Sequence, residues 1–229
     1  VTSGNAMRKG TTMSAPVITI GSLCAGIGGL DLSVEAHFAS LGCDARVAFQ
    51  VEYDPFCNRV LAQHWPGANR TVRDVRRAGS ATLPRVNALC AGFPCQPVSL
   101  AGRRKARSDE RWLWPEVARV LGELRPDYAL LENVPGLLTA DDGRAFGDVL
   151  GSLASLGYAA EWDHFRASDV GAPHRRERWF LLAYADGGGC GPRGVAGMGR
   201  ALGCGGNDPD DAAAAQDAGA GELVHPARG

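Results

Sequence analysis

Cys95, which lies between two prolines, is the residue of this sequence best placed to act as a nucleophile. It follows an apolar run at 86–91 that predicts a buried strand, and the break at Gly92 begins a loop. Pro94 and Pro97 restrict the residues before them, so the thiol is held rather than mobile. Ligands of α/β proteins bind beyond the carboxyl ends of the strands, which favours a reactive cysteine here. From the residues alone, a buried structural cysteine is the alternative.

One carboxylic acid and two arginines could support such a nucleophile. Glu132 ends the apolar run 128–131, where a buried acid is costly unless it has a partner or a task. Arg176 and Arg178 stand near the start of a strand predicted at 178–183. Because they are two positions apart, both would face the same side of a strand.

A glycine turn at Gly26, Gly28 and Gly29 separates a predicted strand at 17–23 from a helical pattern. Glycines there let the backbone approach a bound cofactor closely. Asp31 stands where the dinucleotide fingerprint has its third glycine, so NAD is not the favoured ligand. A plain tight turn is the other interpretation.

Two acids lie beyond the turn, at predicted strand ends. Glu52 follows the strand at 45–51, at the distance from the turn where an acid reaches a ribose hydroxyl. Asp74 follows a short extended run and could accept an adenine amino hydrogen. For Glu52, a solvated acid at a strand end is the alternative. For Asp74, a salt bridge to Arg73 or Arg76 is an equally simple interpretation.

The densest basic run, at 102–111, comes directly after the Cys95 loop. Such a run is usually a solvated surface, but beside a nucleophile it could hold phosphates. The whole chain carries Lys+Arg 24 and Asp+Glu 25, a formal net charge of -1, so only a local patch could attract DNA.

Composition and patterning favour one α/β domain. Strand and helix patterns alternate through 17–185, which predicts a mostly parallel sheet covered by helices, and we place this catalytic domain at 17–186. The helical patterns include 55–65, with Phe56, Val60 and Leu61 facing inward, and 112–124. Residues 1–16 and the Gly-, Ala- and Asp-rich residues 187–229 are expected to be flexible tails.

The seven cysteines include no Cys-x-x-Cys pair and follow no secretory signal, so we expect reduced thiols, a cytoplasmic setting and no metal site. No apolar stretch approaches membrane-spanning length, and we expect no membrane association.

Six features of the sequence, in this order, resemble the DNA (cytosine-5) methyltransferase family. They are Gly26-Ile-Gly-Gly, Glu52, Asp74, Gly92-Phe-Pro-Cys-Gln-Pro, Glu132-Asn-Val and the arginines after His174. The Pro-Cys motif with a downstream Glu-Asn-Val is a specific signature. The resemblance implies a Rossmann-like fold that binds S-adenosylmethionine, with helices on both faces of the sheet, and methylation of carbon 5 of a flipped cytosine.

The resemblance implies a role for each motif residue. Cys95 is similar to the thiolate that adds to carbon 6 of cytosine, and Glu132 to the acid at ring nitrogen 3. By the same likeness, Arg178 contacts the base and Arg176 organises the pocket. The implied cofactor-binding residues are Leu23, Gly26, Gly28, Gly29, Glu52, Tyr53, Asp74 and Leu113. The implied DNA-binding residues are Pro94, Gln96, Ser99, Arg103 and Arg104.

The sequence departs from the family pattern in two ways. His174 stands where the family usually has glutamine, and no target-recognition region is evident after the arginines. We therefore expect a monomeric enzyme that acts on double-stranded DNA, with a separate subunit as a possible source of target recognition. The alternatives are a catalytically incomplete or partner-dependent DNA-binding remnant, and a nucleotide-binding oxidoreductase on the same fold.

Overall fold

A computed structural model of the chain describes residues 17–94 and 112–185. Alternation of apolar runs with amphipathic segments produces six strands and five α-helices in these ranges. The strands are β1 (Ile18–Leu23), β2 (Ala45–Val51), β3 (Ala88–Ala91), β4 (Tyr128–Asn133), β5 (Tyr158–Arg166) and β6 (Glu177–Ala185). The helices are α1 (Gly29–Ser40), α2 (Pro55–His64), α3 (Trp114–Leu124), α4 (Gly136–Thr139) and α5 (Arg144–Ser155).

The described strands form one sheet in the order β2-β1-β3-β4-β6-β5. The pairs β1–β2, β1–β3 and β3–β4 are parallel, whereas β6 is antiparallel to both β4 and β5. Only β6 of the described strands is therefore reversed, and the predicted mostly parallel sheet is confirmed. Parallel pairing brings the carboxyl ends of β1, β3 and β4 to the same edge.

Helices cover both faces of the sheet. Leu23, Phe49 and Leu131 point into a core that also contains apolar side chains of α3 and α5, such as Val117 and Val149. On the opposite face, α1 buries Asp31, which accepts a hydrogen bond from Nε2 of Gln50 at 2.8 Å. Because neighbouring residues of a strand point to opposite faces, Phe49 and Gln50 mark these two sides.

Several sequence-based boundaries were wrong. Asp74 does not end a strand: its segment contributes a single bridge, Phe49 with Asn69. Oδ1 of Asn69 accepts the amide hydrogen of Thr71 at 2.9 Å, a local bond that turns the chain away from further pairing.

The other two errors concern helices. Phe56 is 61% exposed instead of facing inward, and α3 begins at Trp114, after its N-cap Leu113.

Arg176 precedes β6, whereas Arg178 lies in it. Its carbonyl accepts the amide hydrogen of Ala167 at 2.9 Å, and its own amide donates to Nδ1 of His174 at 3.4 Å. These bonds belong to the turn between β5 and β6, so the two arginines do not share a strand face.

The predicted tails at 1–16 and 187–229 lie outside the described residues, as does residue 186, the predicted end of the catalytic domain. Within 17–94 and 112–185, no helix has both the length and the apolar character needed to cross a membrane.

Candidate active site

A cavity of about 520 Å³ opens at the carboxyl ends of β1 and β2. Its lining includes five of the sequence-predicted cofactor residues, namely Gly26, Glu52, Tyr53, Asp74 and Leu113. Gly26 has φ +57°, a left-handed conformation that side chains rarely adopt, and an added Cβ would meet no atom within 4 Å. The glycine turn therefore presents bare backbone to the cavity.

Glu52 connects the glycine turn to the loop after β2 through hydrogen bonds. Oε2 accepts the amide hydrogen of Gly26 at 2.7 Å, and Oε1 accepts that of Asp54 at 2.8 Å. Nδ2 of Asn58 donates to the Glu52 carbonyl at 2.7 Å, which fixes the backbone as well. Each carboxylate oxygen keeps acceptor capacity for a further donor, so Glu52 can bind two hydroxyl groups from the cavity side.

Asp74 begins the 3-10 turn Val75–Arg77 as its N-cap. Oδ1 accepts the amide hydrogen of Arg76 at 3.0 Å and lies 3.5 Å from Nη1 of the same arginine. The salt bridge that the sequence analysis left open is thus formed, with an arginine side chain that is 51% exposed. The second carboxylate oxygen is a candidate acceptor toward the cavity.

The remaining predicted cofactor residues have other positions. Leu23 is fully buried in the core. Gly28 is the N-cap of α1 with φ +89°, and a Cβ there would collide with the ring of Trp65. Gly29 begins α1 with open space around it. The residues that line the cavity do not include Leu23, Gly28 or Gly29. The glycine at position 28 chiefly allows α2 to pack on the turn.

The sequence analysis missed several residues of the cavity wall. Cys24, Val51, Arg73, Val75, Arg76 and Gly92 also line it. Burial, followed by the charges of Glu52 and Asp74, raises the pKa of Cys24 to about 12, so its thiol stays protonated near neutrality. Its place directly after β1 and inside the glycine turn was the available signal.

The second site element is an ion pair between Glu132 and Arg178. Nε of Arg178 lies 2.7 Å from Oε1 of Glu132, and both side chains are mostly buried, 27% and 21% exposed respectively. Oε2 of Glu132 faces Gly92, since a Cβ built on that glycine would lie 3.4 Å away. The acid thus lies beside the backbone three residues before Cys95.

The cavity and the ion pair meet at Gly92. Gly92 and Pro94 both line the cavity, and Oε2 of Glu132 faces Gly92. Pro94, predicted to contact DNA, therefore forms part of the cavity wall as well. Cys95, Gln96, Ser99, Arg103 and Arg104 lie outside the described residues.

Asn133, which the sequence analysis did not single out, connects β4 to the same segment. It is 3% exposed, and its Nδ2 donates to the carbonyl of Phe93 at 2.9 Å. Arg176, by contrast, is exposed in the turn before β6. The described residues thus bring together a ligand cavity, an acid–arginine pair and the strand end that leads to Cys95.

The family model of the C-5 cytosine-specific DNA methylase matches residues 18–189. The chain is 35% identical over 165 residues to the Type II methyltransferase M.DsaV of Dactylococcopsis salina, covering 72% of this chain and 45% of that protein. It is 36% identical over 164 residues to the Type II methyltransferase M.NlaX of Neisseria lactamica, covering 71% and 50%. The chain thus spans about half the length of the curated relatives it matches.

Solved structures agree on the fold. The methyltransferase EhMeth of Entamoeba histolytica matches with a TM-score of 0.61 at 18% identity, over 74% of this chain and 53% of that one. The S. pombe Dnmt2 methyltransferase matches with a TM-score of 0.57 at 22% identity, over 75% and 52%. These structures show the fold, and the family model and the curated relatives show that the chain belongs to the C-5 cytosine-specific DNA methylase family.

Proposed function

We propose that this chain transfers a methyl group from S-adenosylmethionine to carbon 5 of cytosine in double-stranded DNA. The observation that carries the proposal is the Glu132–Arg178 ion pair, with 2.7 Å between Nε and Oε1, beside Gly92 at the edge of the cofactor cavity. An acid at this position can act on a base that Cys95, three residues beyond Gly92, attacks. The family membership supports the same chemistry.

The cavity residues fit S-adenosylmethionine. Glu52 uses one lone pair of each oxygen for backbone amides, which leaves both oxygens able to accept from the neighbouring hydroxyls of a ribose. Asp74 can accept a hydrogen bond from the adenine amino group, and Val75 and Leu113 add apolar surface to the cavity wall. The cofactor has no phosphate, and the turn at Gly26 offers close approach of backbone rather than anion binding. When bound, it supplies an electrophilic methyl group on a positively charged sulfur.

Cys95 and Glu132 would activate the base in concert. Carbon 5 of cytosine is a weak nucleophile. The Cys95 thiolate therefore forms a bond to carbon 6, and the electron pair of the 5,6 double bond moves to carbon 5 and is shared with ring nitrogen 3. Glu132 in its protonated form donates a proton to ring nitrogen 3, where charge builds, and the carboxylate that remains pairs with Arg178. After methylation at carbon 5, a base removes the proton from that carbon. The 5,6 double bond forms again as the bond between carbon 6 and the Cys95 sulfur breaks, and ring nitrogen 3 returns its proton to the Glu132 carboxylate.

Arg178 would hold the acid in position for this step. By binding Oε1 it leaves Oε2, the oxygen that faces Gly92, as the atom available to the base. We propose that Arg178 also contacts the base and that Arg176 organises the pocket from the turn before β6.

DNA contacts beyond the base are proposed for Gln96, Ser99, Arg103 and Arg104, in the basic run that follows the nucleophile. A base inside a duplex is inaccessible, so the target cytosine must flip out of the stack. We propose that the chain works in the cytoplasm as a monomer; the matched Type II methyltransferases come from bacteria.

The test is the transfer of labelled methyl groups from S-adenosylmethionine to unmethylated duplex DNA, with 5-methylcytosine measured after digestion. The unaltered chain should produce it and Cys95→Ser should not. Cys43→Ser is the matched control, because Cys43 is a free thiol in the loop before β2. Absence of 5-methylcytosine despite measurable cofactor binding would favour the partner-dependent remnant instead.

A further inference from the structure

Asn133 uses both ends of its side-chain amide to fix backbone at the carboxyl ends of two strands. Nδ2 donates to the carbonyl of Phe93 at 2.9 Å, and Oδ1 accepts the amide hydrogen of Val134 at 2.8 Å. The side chain is 3% exposed, so water does not compete strongly for either bond. One buried amide therefore joins the end of β4 to the segment beyond β3.

The hydrogen bond between Asn133 and Phe93 lies just beyond the last backbone pair of β3 with β4. The last register pair of β3 with β4 is Ala91 with Leu131. Two positions further along each strand, Phe93 and Asn133 would be the next pair on the same face. The Asn133 side chain thus takes the place of a ladder bond and extends the connection by two residues, toward Cys95.

The peptide unit between Phe93 and Pro94 makes this bond significant. Proline has no amide hydrogen, so the Phe93 carbonyl is the sole hydrogen-bonding group of that unit. The Phe93 ring is fixed separately against Trp112 and Trp114, with centroids 6.1 Å and 5.5 Å away. Because φ of Pro94 is also fixed by its ring, ψ of Pro94 alone separates this anchored unit from the Cα of Cys95.

Asn133 also follows Glu132 directly, and the two side chains point to opposite faces of β4. Glu132 binds Arg178, whereas Asn133 binds Phe93. We infer that Asn133 is a positioning residue, which fixes the candidate nucleophile Cys95 relative to the candidate acid Glu132 by holding the Phe93 carbonyl. This inference rests on the proposed function.

The key variant is Asn133→Asp, which has nearly the same shape. Its carboxylate still accepts from Val134 but cannot donate to Phe93, so it removes one bond and retains the other. Asn133→Ala removes both. Each variant is incubated with S-adenosylmethionine and duplex DNA that carries 5-fluorocytosine, in which fluorine replaces the proton whose removal releases the enzyme. The rate of formation of the stable protein–DNA adduct reports on thiolate addition and methylation together.

We expect both variants to form the adduct about 10- to 100-fold more slowly, because a displacement of about 1 Å in a reacting group costs on the order of a hundredfold. The affinity for S-adenosylmethionine, measured by calorimetry, should stay within about twofold, because Asn133 is not among the residues that line the cavity. This separation of rate from cofactor binding would not follow from a general loss of structure.

Asn87→Ala is the matched control. Asn87 precedes the opposite end of β3, where Oδ1 accepts from Thr19 at 3.0 Å and Nδ2 donates to Asp127 at 3.2 Å. This variant should lower the melting temperature while leaving the adduct rate of the folded protein within about twofold.

Adduct formation by Asn133→Asp within twofold of the unaltered chain would overturn the inference and leave the proposed function intact. A parallel loss of adduct rate and cofactor affinity would also overturn it, since that would indicate a structural role. If the unaltered chain formed no adduct although it bound S-adenosylmethionine, the proposed function would fail and this inference with it.

Discussion

Arg178 holds Glu132 across the antiparallel pair of β4 and β6, with Nε 2.7 Å from Oε1. Glu132 is in register with Phe180, so the arginine lies diagonally opposite, two residues away. Both side chains are less than a third exposed, which makes this charge-assisted bond stronger than a typical surface ion pair. The geometry fixes the direction in which the free oxygen of the carboxyl group points.

Glu132 and Arg178 should behave as a unit in catalysis. Glu132→Gln is expected to reduce the single-turnover rate by about two to four orders of magnitude, the usual contribution of a general acid. Arg178→Ala should cause a loss of similar size, because it releases the same carboxyl group. The double variant should be hardly slower than the slower single variant. Full additivity of the two losses, or a loss below tenfold for Glu132→Gln, would contradict a shared role.

Glu52→Gln should weaken cofactor binding. The amide keeps one acceptor oxygen where the carboxylate has two, so one of the bonds to Gly26 and Asp54, or one to the ligand, is lost. We expect the dissociation constant for S-adenosylmethionine, measured by calorimetry, to rise about 10- to 100-fold, the equivalent of one hydrogen bond to a charged group. Glu161→Gln, at an exposed position of β5, is the control and should leave it unchanged. If the dissociation constant of Glu52→Gln were unchanged, Glu52 would not be a cofactor-binding residue.

Gly28→Ala should destabilise the fold, whereas Gly29→Ala should not. The added Cβ at Gly28 collides with Trp65 in a backbone with φ +89°, and these two effects together should lower the free energy of unfolding by about 3 kcal/mol. At Gly29 the space is open, and alanine should be neutral or slightly stabilising. Urea denaturation measures the free energy of unfolding of both variants and so tests the expected difference between them. Equal losses would mean that the contact with Trp65 does not explain the need for glycine.

Asp31→Asn should change how stability depends on pH. Burial raises the pKa of Asp31 above its ordinary value of 3.8. A group with a raised folded-state pKa contributes stability that is present below about pH 4 and is lost as pH rises through the folded pKa. Asparagine can still accept from Gln50 and undergoes no such loss.

The difference in unfolding free energy between Asp31→Asn and the unaltered chain should therefore grow in favour of the variant from pH 4 to pH 7. Urea denaturation across this range measures it, with Asp44→Asn, at an exposed position before β2, as control. A difference that stays constant across the range would show that Asp31 does not titrate as its burial requires.

Alternating patterns predicted most of the fold because they record which side chains become buried. The helical spacing of Val117, Val120 and Leu124 and the apolar run before Gly92 both correspond to elements of the structure. The segment before Asp74 has a strand-like composition, but a strand needs a continuous partner. The side-chain bond from Asn69 to Thr71 bends the chain there, which residue patterns do not reveal.

The candidate site was predictable where a residue type and its place at a strand end coincide, as for Glu52 and Glu132. The role of Asn133 was not, because it depends on contacts set by strand register. Phe93 and Asn133 are forty positions apart in the sequence, and only the pairing of β3 with β4 brings them within hydrogen-bonding distance. The expectation that Arg176 and Arg178 share a strand face failed because turn bonds between distant residues leave no periodic signal.

The most direct test of the account is to locate the covalent bond between the protein and its substrate. The unaltered chain is incubated with S-adenosylmethionine and 5-fluorocytosine duplex DNA, the adduct is digested, and mass spectrometry identifies which of the seven cysteines carries the nucleotide. We predict a single modified peptide in which Cys95 bears the methylated base. A bond to any other cysteine, or a Cys95→Ser variant that still forms the adduct, would contradict the account.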